Sequence, residues 1–245
     1  MKQQNKIIVV GATSGLGRML AERYIRDGHV VGIVGRRGDK LAEVAKGHPE
    51  VHCLKADVTD VGRIATHLAA LAGEMGGLDL LVLCSGVGRM NPDLDYGLEL
   101  PTVDTNVRGW TAVTDWAFSF FMQQGYGPHR LFRFIHPKQI LGMGKQRRTD
   151  ESGTNIRHMN LLAGNARTLP QRFQIVDLVG LGSGISRSRS QTTDAGYRRN
   201  GSQVSIYRAI SARKKKAVIT RRWAFLAPWM RIAPEWLVAK ILGKA

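Results

Sequence analysis

Cysteine is nearly absent: among 245 residues only Cys53 and Cys84 carry thiols, each beside apolar residues in a strand-like run. Two such positions support neither a disulfide framework nor a metal site, so no metal is expected and both thiols are read as buried in a reducing cytoplasm. Long hydrophobic runs are missing too. The amino terminus, Met1 to Lys6, passes into the four apolar residues Ile7 to Val10, too short for a signal-peptide core or a membrane span. A cytoplasmic location is the resulting expectation. Acidic residues become scarce past the midpoint. Residues 1–126 hold 13 Lys/Arg against 14 Asp/Glu, residues 127–206 hold 13 against 4, and residues 207–245 hold 10 against 1. The formal net charge of +17 is therefore confined to the second half. Basicity of this size suggests a nucleic-acid binder, but its confinement points to a separate basic region or to two stretches of different origin.

What is present reads as one well-filled α/β domain over residues 1–245, with 43% of residues hydrophobic. Ile7 to Val10 form a β-branched strand that runs into Gly11-Ala12-Thr13-Ser14-Gly15-Leu16-Gly17. Leu16, Met19, Leu20 and Tyr24 then recur at helical spacing up to Gly28, and Val30 to Val34 supply a second strand at βαβ distance. This is the context a phosphate-binding turn needs. Gly11 permits the tight turn, Gly15 lets backbone approach a pyrophosphate, and Gly17 lets the helix pack closely on the strand. The phosphates would meet free N–H groups at the helix's positive end. After the second strand, a site for NAD(H) would place an Asp or Glu, yet this chain has Gly35-Arg36-Arg37. Two guanidinium forks match a 2′-phosphate, which favours NADP(H) over NAD(H).

Two further strands follow, Val51 to Ala56 leading to Asp57-Val58, and Leu78 to Leu83 leading to Cys84-Ser85-Gly86-Val87-Gly88. Between them Val61, Ile64, Leu68 and Leu71 mark one face of a crossover helix, and a long helical run spans about Thr102 to Gln124. Repeated β-α units predict a doubly wound parallel sheet in a three-layer α/β/α arrangement.

The chain resembles the short-chain dehydrogenase/reductase family through four segments in family order: Gly11 to Gly17, Asp57-Val58, Leu80 to Gly86, and Thr105-Asn106-Val107. The resemblance implies a Rossmann-like fold, a small carbonyl or alcohol substrate and a homodimer or homotetramer. It also implies that Thr13, Ser14 and Leu16 belong to the cofactor turn and that Asp57 binds the adenine amine. Val58 would flank the ring, Ser85-Gly86 would line the cofactor floor, and Asn106 would shape the active-site helix and hold a water in the proton relay. One departure is Leu83-Cys84-Ser85-Gly86 where the family has Asn-Asn-Ala-Gly.

The family's chemistry needs a tyrosine whose pKa is lowered by a lysine one helical turn later, and a serine that positions the carbonyl oxygen. Counted from Asn106, the serine falls near residues 134–138 and the Tyr-x-x-x-Lys near 147–155. The first window, Phe134 to Lys138, has no serine, and the second, Arg147 to Asn155, has no tyrosine. Across the chain Tyr24, Tyr96, Tyr126, Tyr197 and Tyr207 precede Gly28, Leu100, Arg130, Gly201 and Ser211 at that spacing, never a lysine. His136 and Lys138 are the candidate replacement acids, though isolated titratable residues are usually just solvated.

Residues 127–206 show no sustained periodicity beyond a strand over Phe173 to Val179. The arginine-serine tract Ser186 to Ser190 is short and lacks an aromatic platform, so nucleic acid is not an expected partner. Motif, periodicity and charge balance fail together at Gly127, the pattern of an out-of-frame translation. One inserted cytosine would turn a family-like Gly-His-Ile into Gly127-Pro128-His129, although no Tyr-x-x-x-Lys returns with the same shift. From Ile206 the sequence becomes coherent again, with Ala217-Val218-Ile219 preceding Trp223, Phe225, Leu226, Trp229 and Met230. This basic extension over residues 207–245 reads as a strand and an amphipathic helix packed on the domain or a subunit. A peripheral contact with an anionic membrane is the alternative. The functional expectation is hydride transfer between NADP(H) and a carbonyl or alcohol. Its alternatives are a catalytically silent NADP(H)-binding protein and a basic nucleic-acid or membrane-surface binder.

Overall fold

A computed structural model describes residues 4–87, 93, 95–124, 132–139, 173–180, 207–208 and 216–219, with the last three strands described through their backbone. In chain order the elements are β1 (Lys6–Val10), α1 (Gly15–Arg26), β2 (Val30–Gly35), α2 (Gly38–Ala45), β3 (His52–Lys55), α3 (Ile64–Glu74) and β4 (Leu80–Leu83). There follow α4 (Tyr96–Val103), a π turn (Asp104–Gly109), α5 (Trp110–Gln124), β5 (Phe132–Gln139), β6 (Phe173–Gly180) and β7 (Lys216–Ile219). The strands form one seven-stranded sheet in the order β3-β2-β1-β4-β5-β6-β7, every pairing parallel.

Because side chains alternate along a strand, β1 divides its apolar residues between the two faces of the sheet. Ile7 and Val9 join Val31, Ile33, Leu80 and Val82 beneath Leu20, Tyr24 and Ile25 of α1 and Leu41 and Val44 of α2. Ile8 and Val10 join Val34, Leu81 and Leu83 beneath Ile64, Leu68 and Leu71 of α3 and Trp110, Val113, Ala117 and Phe121 of α5. Burial on both faces is why β1 and β4 read as unbroken apolar runs, and it gives the expected three layers.

The sequence missed some elements. Helix α2 was not anticipated, nor was strand β5 within the segment lacking period. The strands at Phe173 and Lys216 lie where the sequence placed them. Pairing between β4 and β5 covers Arg133 to Ile135, so Pro137, which has no N–H to give, lies past that ladder, while on the other edge of β5 it stands opposite Leu178 of β6. The expected helix over Thr102 to Gln124 is three pieces, with a π turn interrupting the α geometry. Val61 is not on the core face of the crossover helix: α3 begins at Ile64, and Val61 is 38% exposed in the preceding turn. The thiols need a correction as well. Cys84 is half-buried, but Cys53 is exposed, because β3 is the outermost strand and its alternation places Cys53 with Lys55 on the solvent side.

Two contacts close the framework at the amino end of the sheet. Gln124 Oε1 accepts from Leu78 N at 2.7 Å while Gln124 Nε2 donates to Leu78 O at 2.9 Å, tying the end of α5 to the entry of β4. Tyr207 packs against Tyr24, its hydroxyl donates to Asp27 Oδ2, and the Arg23 guanidinium lies 4.7 Å from its ring centroid. Tyr207 thus packs on the carboxyl end of α1. The expected Tyr-x-x-x-Lys window at 147–155, the arginine-serine tract and the terminal amphipathic helix lie outside the described residues.

Candidate cofactor site

Strand order reverses at β1, which has β2 on one side and β4 on the other, and the loops leaving their carboxyl ends diverge there. Such a switch point opens a crevice at the strand ends. The glycine turn fills one side of it. Gly11 N and Ala12 N donate to Val34 O at 2.9 and 3.1 Å, holding the turn against the end of β2. Gly11 has φ +86, and a Cβ there would lie 2.6 Å from Ser85 N and 2.7 Å from Cys84 C. At Gly17 a Cβ would come within 2.2 Å of Gly11 O. Both glycines are needed for backbone packing. Gly15 differs: with φ +57 it has nothing within 4 Å of its Cβ position. The open space lies beside the start of α1.

Ser14 is the N-cap of α1, yet its side chain caps no helix N–H. Its Oγ accepts instead from Arg37 Nη2 at 3.0 Å, and the same Nη2 donates to Thr13 Oγ1 at 2.8 Å. The first-turn N–H groups of an α-helix have no partner within the helix, so this end suits an anion. Arg36, 61% exposed, brings Nη1 to 3.5 Å from Asp57 Oδ2. Asp57 Oδ1 is occupied differently, accepting from both Thr59 N and Thr59 Oγ1 at 2.9 Å. Two cations therefore flank the rim between the glycine turn and Asp57. Val58 follows, buried at 6% exposure in the core beneath α5.

Across the crevice β4 ends in Cys84-Ser85-Gly86-Val87. Burial pushes the Cys84 thiol up to about 12, so it is a packing group there and not a nucleophile. Ser85 Oγ is buried without a hydrogen-bond partner. Asn106, in the π turn, forms a two-bond clamp on Val87: its Oδ1 accepts from Val87 N at 2.9 Å and its Nδ2 donates to Val87 O at 2.7 Å. Arg108 Nη1 bonds Asp104 Oδ1 at 2.7 Å across one turn of the same segment. Gly86 leaves 3.6 Å between its Cβ position and Asn106 Oδ1.

The structure thus brings Gly11, Thr13, Ser14, Gly15, Leu16, Gly17, Arg36, Arg37, Asp57, Val58, Ser85, Gly86 and Asn106 to the carboxyl ends of β1, β2, β3 and β4. The strand window expected to carry a serine, residues 134–138, lies in β5 beside β4, and its sequence contains none. Sequence reasoning missed the bond from Arg37 to Thr13 and Ser14, for which the Arg-Arg pair was the available signal. Among the described residues no three His, Cys, Asp or Glu side chains gather to hold a metal, and no helix is long and apolar enough to cross a membrane.

Comparison with known proteins agrees with this geometry. A "2-dehydro-3-deoxy-L-rhamnonate dehydrogenase (NAD(+))" of Sphingomonas is 28% identical over 123 residues, 49% of each chain. An "NADP-dependent 3-hydroxy acid dehydrogenase" of Shigella flexneri is 31% identical over 110 residues, 44% of this chain and 41% of that protein. The chain spans about half the length of the curated relatives it matches. A solved short-chain dehydrogenase of Streptomyces avermitilis shares the fold, with a TM-score of 0.69 at 18% identity over 95% of this chain and 98% of that one. The family model described as short chain dehydrogenase matches residues 5–128, half of the sequence, and the chain belongs to that family.

Proposed function

We propose that this chain is an NADP(H)-dependent oxidoreductase by descent, with an intact cofactor half and a catalytic half that lacks the family's serine and Tyr-x-x-x-Lys. The observation that carries the cofactor assignment is the Arg36-Arg37 pair. Arg37 is held on the hydroxyls of Thr13 and Ser14, Arg36 stands 3.5 Å from Asp57, and no acidic residue occurs at positions 35–38. An anionic 2′-phosphate satisfies both forks, whereas the ribose diol of NAD(H) needs the missing carboxylate. Relatives of both cofactor types match this chain, so the preference rests on its own arginines.

The residues present fit a dinucleotide. Open space at Gly15 and the uncapped start of α1 would receive the pyrophosphate, Asp57 and Val58 the adenine, and Ser85-Gly86 the floor. When bound, the cofactor supplies a hydride to a carbonyl carbon, or takes one from an alcohol. Asn106, fixed on Val87, would hold the active-site helix in place. The sequence holds no Tyr-x-x-x-Lys to pass the proton.

Titration of the purified chain with NADPH and NADH tests the assignment. NADPH should bind more tightly by about ten- to a hundredfold, the value of one or two charge-assisted hydrogen bonds. The R36A/R37A variant should lose that margin and keep its affinity for NADH. Binding of neither nucleotide overturns the reading. A second reading, a catalytically silent NADP(H)-binding protein, is favoured by the absence of Tyr-x-x-x-Lys from all 245 residues. NADPH binding without carbonyl turnover supports it.

Residues 127–206 are proposed to be translated out of frame. The nucleotide sequence across those codons decides the point. A serine followed by Tyr-x-x-x-Lys in another frame supports the proposal, and its absence from every frame sinks it. A homodimeric or homotetrameric assembly, a cytoplasmic location and a small carbonyl or alcohol substrate belong to the same proposal, argued from the family alone.

A further inference from the structure

We infer that Gly109 is a positioning residue that couples the two cofactor loops through the π turn. The segment Asp104–Gly109 touches both sides of the crevice at once. At Asn106 it clamps the loop after β4, through two hydrogen bonds of 2.9 and 2.7 Å to Val87. Three residues later it meets the loop after β3. A Cβ on Gly109 would lie 2.6 Å from Val58 O, 2.9 Å from Val58 C and 2.9 Å from Val58 Cγ2. Two of those atoms are backbone, so no rotamer change relieves the overlap, and helix and loop must separate.

The contact is close because the helix backbone rests directly on the Val58 peptide with no side chain between them. That peptide follows Asp57, whose carboxylate organises the loop by accepting from Thr59 N and Thr59 Oγ1 and faces Arg36. A displacement of Val58 therefore moves the Asp57 and Arg36 rim. A displacement of the π turn moves Asn106 and Val87. One six-residue segment, hydrogen-bonded to the first loop and packed closely on the second, lets each loop sense the other. Widened helical turns of this kind are concentrated at functional sites. Coupling between two sites is reciprocal, so the inference predicts that a change at either contact reaches the other.

This inference rests on the dinucleotide reading for its functional meaning, but not for its structural test. Two variants examine it from opposite ends. In N106A the clamp on Val87 is removed, and amide hydrogen exchange at Thr59, on the other loop, should become faster. Exchange at Val9 in the core of β1 should stay unchanged. In G109A the exchange of Val87 N–H should accelerate, whereas G73A, with nothing within 4 Å of the added Cβ, should leave both loops as they are. Should G109A fail to fold, N106A still decides the matter, since it only removes atoms from the side of the crevice opposite Val58.

The ligand readout uses adenosine 2′,5′-bisphosphate, which carries the adenine and 2′-phosphate ends and nothing that reaches Val87. N106A should weaken its binding about fivefold, the lower end of typical site-to-site couplings. Unchanged Thr59 exchange together with unchanged affinity for this probe would overturn the coupling. If the unaltered chain binds neither the probe nor NADPH, the dinucleotide reading fails, and the exchange results still judge the coupling on their own.

Discussion

Glu43 illustrates how much a single exposed residue depends on partners from different parts of the chain. Lys40 Nζ and Arg18 Nη2 each donate to its carboxylate at 2.9 Å, and these two cations lower its pKa from 4.5 to about 2. A carboxylate with a depressed folded-state pKa stabilises the fold above its unfolded value and loses that contribution as pH falls toward the folded value. The effect is therefore complete above pH 4.5 and disappears between 4.5 and about 2. Urea unfolding of E43Q should show a shallower loss of stability across that window than the parent chain and no difference in slope at neutral pH. The Lys40 contact lies within α2, but the link from Arg18 joins α1 to α2, and nothing in the sequence pairs those two positions. The two cysteines separate at the same scale. Cys53, exposed on the outer strand, should react with a thiol reagent in the native state, and Cys84 only after unfolding. Two equivalents of reaction in the native state would contradict the raised pKa of the half-buried Cys84 thiol. Both thiols looked alike in sequence because each lies in an apolar run; only the position of β3 at the sheet edge distinguishes them.

At the scale of elements, α5 is tied at its far end to β4 by the Gln124 clamp and near its start by Asn106, through the π turn. Each carboxamide imitates a peptide group, giving one donor and one acceptor to the same residue of the partner segment. Q124A would leave both polar groups of Leu78 without these bonds. A loss of about 1–3 kcal/mol in unfolding free energy is expected, measured by denaturant titration. The strand-turn-helix of β1 and α1 was legible because alternating burial, glycine placement and helical spacing agree over residues 7–28. Helix α2 was not, since its short stretch offers only Leu41 and Val44 as buried residues. The break between α4 and α5 was invisible for a related reason: apolar spacing near 3.6 hardly changes when one turn widens to π geometry. Asn106 was found by its motif, while its clamp on Val87 required the fold to bring residues 19 apart into contact.

For the whole molecule, ligand linkage gives the broadest prediction. NADPH at a hundred times its dissociation constant should raise the unfolding free energy by about 2.7 kcal/mol, and NADH at the same concentration should raise it less. Equal shifts in thermal unfolding would remove the argument from Arg36 and Arg37. The contact of Tyr207 with Arg23, Tyr24 and Asp27 joins residues 180 apart in sequence. By itself the sequence determined the βαβ order, the parallel sheet, the glycine turn and the lack of the family's proton-transferring pair, because these depend on local period and on residue identity. Tertiary structure alone decided that Arg37 rests on Thr13 and Ser14, that Gly109 meets Val58, that Cys53 faces solvent and that β5 joins the sheet. Each of these depends on which distant backbones approach closely, and close approach follows from how layers pack, a quantity that no local pattern of residues encodes.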